Sequence, residues 1–129
     1  MAKILVAEDD TLLSSLIANH LQKDGHEVQA AYDGPQTVEK VKELRPHLLL
    51  LDILMPIMDG FTVLDTLKGE DAAIVHMRVI ILSNSDRTED IERSKQYPVD
   101  NYLVKATTDL EEISRQVRIV LQAGLPNPQ

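Results

Sequence analysis

Cysteine and tryptophan are absent, and phenylalanine occurs once and tyrosine three times among 129 residues. Without cysteine there is no disulfide framework, no thiolate zinc site and no cysteine nucleophile, which suits a reducing compartment, so a cytoplasmic location is expected. Aromatics make up 3% of a chain that is 43% hydrophobic, so aliphatic side chains must fill the core. Positive charge is also short: 13 Lys and Arg stand against 21 Asp and Glu, a formal net charge of -8. That balance repels phosphate backbones and anionic lipid, so direct binding of nucleic acid or membrane by this domain is not expected. No apolar run is long enough to span a bilayer, and the chain enters a strand-like run at Lys3 to Ala7 with acids behind it. No leader or spanning segment is therefore expected. The length suits one domain.

What is present is a strict alternation. Ile4-Leu5-Val6, Leu48 to Leu51, Val79 to Leu82 and Tyr102-Leu103-Val104 are strand-sized apolar runs without polar alternation, as expected of strands covered on both faces. Val28, Ala30 and Tyr32 alternate with Gln29, Ala31 and Asp33, the weaker pattern of an edge strand. Between these runs lie helical stripes, with Leu13, Leu16, Ile17 and Leu21 in the first and Leu110, Ile113, Val117, Val120 and Leu121 in the last. Thr108 and Glu111 have capping-box spacing before that last stripe, and Pro35 suits a helix's first turn. A third helix follows Asp59-Gly60 with Phe61, Leu64 and Leu67, and a fourth follows Thr88 with Ile91, Ser94 and Tyr97 facing inward.

Five strands alternating with five helices through short connections force right-handed crossovers, a parallel sheet and helices on both faces: a doubly wound α/β domain. In such a sheet the carboxyl ends of all strands share one rim, where ligands bind. That rim collects Glu8-Asp9-Asp10, Asp52, Ser83 and Lys105, an acidic pocket with one cation. Crowded carboxylates call for protonation, a paired base or a hard divalent cation, and a site of three acids without clustered histidine suits magnesium better than zinc. A metal, a lysine and a hydroxyl donor together supply what phosphoryl transfer to a carboxylate requires.

Ile4-Leu5-Val6 leading to Glu8-Asp9-Asp10, Leu48 to Asp52, Met55-Pro56, Met58-Asp59-Gly60, Ser83, Tyr102 and Lys105 together resemble a response-regulator receiver domain of two-component signalling, of the chemotaxis-type single-domain kind. The resemblance implies a flavodoxin-like sheet of order 2-1-3-4-5 over residues 1–122, with 123–129 a tail or linker stub. It implies that Asp52 accepts a phosphoryl group from a histidine kinase or phosphotransfer protein. Mg2+, or Mn2+ in its place, is then held by Asp9 directly, by Glu8 mainly through water, by Asp52 and by the backbone carbonyl of Leu54. Ser83 turns its hydroxyl toward the phosphoryl group, Lys105 pairs with a phosphate oxygen, and Tyr102 swings between rotamers as a switch. The face of the fourth helix, fifth strand and fifth helix then meets a downstream effector. The chain is expected to be a signalling switch rather than an enzyme acting on other molecules, and a monomer that dimerises, if at all, on phosphorylation through charges such as Asp100, Glu111 and Arg115.

Plainer roles compete at several positions. Asp10 is best read as the cap of the first helix, outside the ligand set. Met55 and Met58 fill a turn, and Asp59-Gly60 is a tight turn with glycine at a positive backbone angle. His20, His26, His47 and His76 lack ligand spacing and are read as surface or core-edge residues. Two features depart from the usual family pattern: Lys105 precedes Ala106 rather than proline, so a trans bond is expected there, and Asn84 follows Ser83 where a small residue is common. Asn84 is expected to narrow access to the pocket, and Leu54, unable to orient water, to prolong the phosphorylated state. The rival readings are a receiver-like scaffold that is never phosphorylated and a magnesium-dependent phosphohydrolase. The second needs an acid two residues beyond the nucleophile, where Leu54 stands.

Overall fold

The computed structural model describes residues 2–69 and 76–124. Five parallel strands form one sheet in the order β2-β1-β3-β4-β5: β1 is Lys3–Ala7, β2 Glu27–Ala31, β3 Leu48–Leu51, β4 Arg78–Ser83 and β5 Asn101–Val104. The helices are α1 (Thr11–Lys23), α2 (Gly34–Leu44), α3 (Gly60–Lys68), α4 (Thr88–Ser94) and α5 (Leu110–Gly124), with a 3-10 turn at Lys105–Thr107 before the last. The expected doubly wound fold and strand order are both present. Its topology follows from the sequence pattern: alternate residues of each central strand point to opposite faces, and both faces are covered. Leu5, Leu49, Leu51, Val79 and Ile81 pack with Val38 and Val41 of α2 and Phe61, Leu64 and Leu67 of α3. Ile4, Val6, Leu48, Leu50, Ile80 and Leu82 pack with Ile17 and Leu21 of α1 and Ile113, Val117 and Val120 of α5.

Capping chemistry sets where helices begin. Asp10, Asp33 and Asp59 each accept an amide hydrogen bond three residues on, from Leu13, Gln36 and Thr62, and Pro35 sits in the first turn of α2. The expected capping box of α5 is not formed. Asp109 Oδ1 accepts from the Glu112 amide at 2.8 Å, while Thr108 Oγ1 donates back to the Val104 carbonyl at 2.8 Å. The 3-10 turn consumes the residues before Asp109 and moves the cap one position along. At its other end α5 continues to Gly124, and residues 125–129 of the expected tail lie outside the described residues.

Other local expectations are corrected by packing. Ala31, not Ala30 or Tyr32, is the fully buried residue of β2, because its side chain faces the α2 side of the sheet while Tyr32 lies beyond the strand and is exposed. Leu16 is exposed, since α1 seats Ser14, Ile17 and Leu21 on the sheet and turns Leu16 with Leu12 to the outside. Tyr97 lies past the end of α4, where it stacks on Phe61 at 5.7 Å between ring centroids. Gly60 does not take a positive φ; it opens α3 so close to the backbone just after β3 that a Cβ would sit 2.7 Å from Ile53 Cα and 2.8 Å from the Asp52 carbonyl oxygen. The positive φ in this loop belongs instead to Ile57, at 71°. No cis peptide bond occurs among the described residues, so Lys105–Ala106 is trans as expected.

Candidate functional site

β1 and β3 are neighbours in register, Ala7 opposite Leu51, so the residues that follow them, Glu8 and Asp52, emerge side by side at the carboxyl rim. One oxygen from each of Glu8, Asp9 and Asp52 lies within 4.8 Å of the others. Glu8 and Asp52 are buried, at 2% and 3% exposure, whereas Asp9 faces solvent at the mouth. Lys105, at the end of β5, crosses over β4 to reach both buried acids: its Nζ is 2.6 Å from Glu8 Oε1 and 2.9 Å from Asp52 Oδ2. Backbone amides hold the remaining oxygens, Leu54 N donating to Asp52 Oδ1 at 2.9 Å and Asp10 N to Glu8 Oε2 at 3.0 Å.

The electrostatics follow from burial. Desolvation pushes the Glu8 carboxyl above its ordinary value, against the pull of the Lys105 and Asp10 hydrogen bonds. Burial works to lower the Lys105 ammonium, but its bonds to Glu8 and Asp52 and their charges outweigh that and raise it. Glu8 Oε1 is buried without a hydrogen-bond partner of good geometry. Three clustered acids, two of them paired with one ammonium, leave excess negative charge at the rim, a donor set of hard oxygens that fits a small divalent cation.

Ser83 ends β4, fully buried, and its Oγ accepts the Ser85 amide at 3.1 Å. Tyr102, from β5, donates its hydroxyl to the Ser85 carbonyl at 2.8 Å, and burial raises its phenol above the ordinary value. Ser85 Oγ donates to Asp90 of α4 and accepts the Arg87 amide at 3.3 Å. The sequence reading overlooked Ser85 and Asp90; the one available signal was the repeat of a hydroxyl two residues after Ser83. Asn84 is exposed between the two serines, and Leu54 is 55% exposed.

The histidines lie away from this rim. His26 Nδ1 accepts the Ala2 amide at 3.3 Å, His47 Nδ1 accepts the Lys3 amide at 2.9 Å, and His20 pairs with Glu111 at 3.0 Å. The charges expected at a dimer face are engaged within the chain: Asp100 with Arg78, Glu111 with His20, and Arg115 with Glu112 at 2.9 Å. No helix among the described residues is long and apolar enough to cross a membrane.

The response regulator receiver domain family matches residues 4–118. The DNA-binding dual master transcriptional regulator RpaA of Synechocystis is 33% identical over the whole of this chain but over 53% of its own length, so the chain spans about half of that curated relative. Among solved structures, the Francisella response regulator 1452 receiver domain is 26% identical with a TM-score of 0.86, over 97% of this chain and 100% of its own. The BeF3-activated receiver domain of Klebsiella pneumoniae RstA is 28% identical with a TM-score of 0.82, over 93% of this chain and 98% of its own. With the acids, the hydroxyl and the lysine gathered at one rim of the 2-1-3-4-5 sheet, the chain belongs to the response regulator receiver domain family.

Proposed function

We propose that Asp52 is the phosphoacceptor of a two-component phosphorelay and that Glu8, Asp9 and Asp52, with the Leu54 carbonyl, hold Mg2+ or, in its place, Mn2+. The observation that carries this reading is the Lys105 ammonium 2.9 Å from Asp52 Oδ2 and 2.6 Å from Glu8 Oε1, a cation among buried acids at the strand-end rim, where the Leu54 amide also orients Asp52. A carboxylate oxygen of Asp52 attacks phosphorus of a phosphohistidine; the O–P bond forms, the N–P bond breaks, and the imidazole leaves with its electron pair and takes up a proton. A cation bound there would supply neutralisation of the phosphoryl oxygens. Lys105 transfers its contact from Asp52 to a phosphoryl oxygen, and Ser83 donates its hydroxyl to another. Asp9, exposed at the mouth, would hold the cation directly, and Glu8, already engaged by Lys105 and Asp10, would help hold it mainly through water.

Phosphorylation then favours an arrangement in which the loop after β4 closes on the phosphoryl group, Tyr102 follows it, and the α4–β5–α5 face changes for a downstream effector. Dimer formation through α5 would require Arg115 and Glu111 to exchange the partners they have within the chain. A phosphohydrolase is disfavoured because apolar Leu54 stands where that chemistry needs an acid. A scaffold that is never phosphorylated is disfavoured because acids, hydroxyl and lysine are all in place. Intact mass after incubation with acetyl phosphate and Mg2+ tests all three. One phosphoryl adduct, absent in Asp52→Ala, is expected; no adduct in the unaltered chain supports the scaffold, and turnover of phosphate esters supports the hydrolase.

A further inference from the structure

We infer that Ser85 is a positioning residue that ties the phosphoryl site to α4 through its side chain; the inference rests on Asp52 being the phosphoacceptor. Ser85 is 9% exposed and makes bonds through each of its polar groups. Its amide donates to Ser83 Oγ at 3.1 Å, its carbonyl accepts the Tyr102 hydroxyl at 2.8 Å, and its own hydroxyl donates to the Asp90 carboxylate while accepting the Arg87 amide. A serine hydroxyl has one proton to give and two lone pairs. Ser83 can thus donate to a phosphoryl oxygen while still accepting the Ser85 amide, so its movement draws Ser85 with it.

Ser85 then has two outlets. Its carbonyl carries the movement to Tyr102 and would do so with any residue at this position. Its hydroxyl carries it to Asp90, in the first turn of α4, and only a side chain that reaches Asp90 can do that. The rest of α4 holds the sheet weakly: among its residues only Ser94 is buried, and its first residue has no side-chain cap. A short helix with little apolar anchorage is a segment whose position a single part-buried bond to a carboxylate can bias. Coupling between sites needs such a linked element, with two arrangements that both ends favour differently.

The test follows amide and tyrosine resonances of the full chain before and after phosphorylation by acetyl phosphate with Mg2+, in Ser85→Ala, Asp90→Ala, the double variant and Ser85→Thr. All four are expected to gain the Asp52 adduct and to keep the Tyr102 response, because the Ser85 backbone is unchanged. The response of the Ile91 amide should fall about fivefold in either alanine variant, the low end of ordinary coupling between sites. The double variant should be no worse than either single one, and Ser85→Thr should restore the response. A full Ile91 response in phosphorylated Ser85→Ala or Asp90→Ala overturns the link while leaving the phosphoacceptor assignment intact. Absence of an adduct in the unaltered chain overturns both.

Discussion

Lys105 Nζ lies 2.9 Å from Asp52 Oδ2, across a strand that contributes to neither residue. The same ammonium is 2.6 Å from Glu8 Oε1, and the Lys105 side chain is only 14% exposed. One cation therefore offsets two buried carboxylates, and the three charges depend on one another.

Removing the cation should be costly where removing one acid is not. Lys105→Met leaves two buried carboxylates facing each other, and breaking a buried pair in this way costs about 3 kcal/mol or more. Asp52→Asn retains the shape and lowers the negative charge, so its cost should stay under about 1 kcal/mol, or its sign reverse. Urea denaturation with a chelator at pH 7 checks both, and equal stability of Lys105→Met and the unaltered chain would remove the mutual dependence argued above.

Leu54, two residues after Asp52 and bonded to it only through its backbone amide, is apolar and 55% exposed. It can neither orient a water nor activate one, so a phosphoryl group on Asp52 is expected to be long-lived. Leu54→Asn should shorten that lifetime by about tenfold, within what a single positioned polar group contributes to proton and water handling. The decay of phosphorylated protein after removal of the donor gives the number; an unchanged lifetime sinks this account of Leu54.

Two glycines should respond to alanine for different reasons. At Gly60 the new Cβ would meet backbone atoms of Ile53 and Asp52 at 2.7 and 2.8 Å, which cannot move without displacing Asp52, the proposed phosphoacceptor. Gly60→Ala should lose about 3 kcal/mol and most of the adduct. Gly25 has φ of 95° and nothing within 4 Å of a Cβ, so Gly25→Ala should cost about 1 kcal/mol of backbone strain and leave phosphorylation unchanged. Thermal melts and adduct yield together distinguish the two.

Acid should loosen the start of β1. His26 Nδ1 accepts the Ala2 amide, and burial holds the imidazole below its ordinary value near 6.5 despite the nearby Asp24 carboxylate, with the amino terminus and Arg118 adding to the lowering. The unfolded chain thus binds a proton at His26 before the folded chain does. The stability carried by neutral His26 is complete above about pH 6.5 and is lost as pH falls below it toward the folded value. Denaturation midpoints between pH 7.5 and 5.5 should drop less in His26→Gln than in the unaltered chain; parallel curves would exclude His26 as the cause.

The parts of the fold that were plain in the sequence are those where burial is two-sided. Leu48 to Leu51 can only be a central strand, and its successor Asp52 can only emerge at the rim. Local competition was less legible. Thr108 with Glu111 and Asp109 with Glu112 are both plausible helix starts, and the choice was made by the turn at Lys105–Thr107, a feature without an apolar pattern. Gly60 reads in the sequence as a turn angle, while its constraint is the approach of α3 to the backbone of Asp52 and Ile53 just after β3, which only the packed structure brings together.

By its order of residue types alone, the sequence determined the alternation of strands and helices, the parallel sheet, and hence that Glu8, Asp52, Ser83 and Lys105 share one edge. Only the tertiary structure decided that Lys105 bridges Glu8 and Asp52, that Asp9 remains at the mouth, and that Ser85 joins Ser83, Tyr102 and Asp90. Strand polarity follows from periodicity, which is a property of neighbours along the chain. A hydrogen bond depends on distances of a few tenths of an ångström between side chains from separate elements, and those are fixed only when the layers pack.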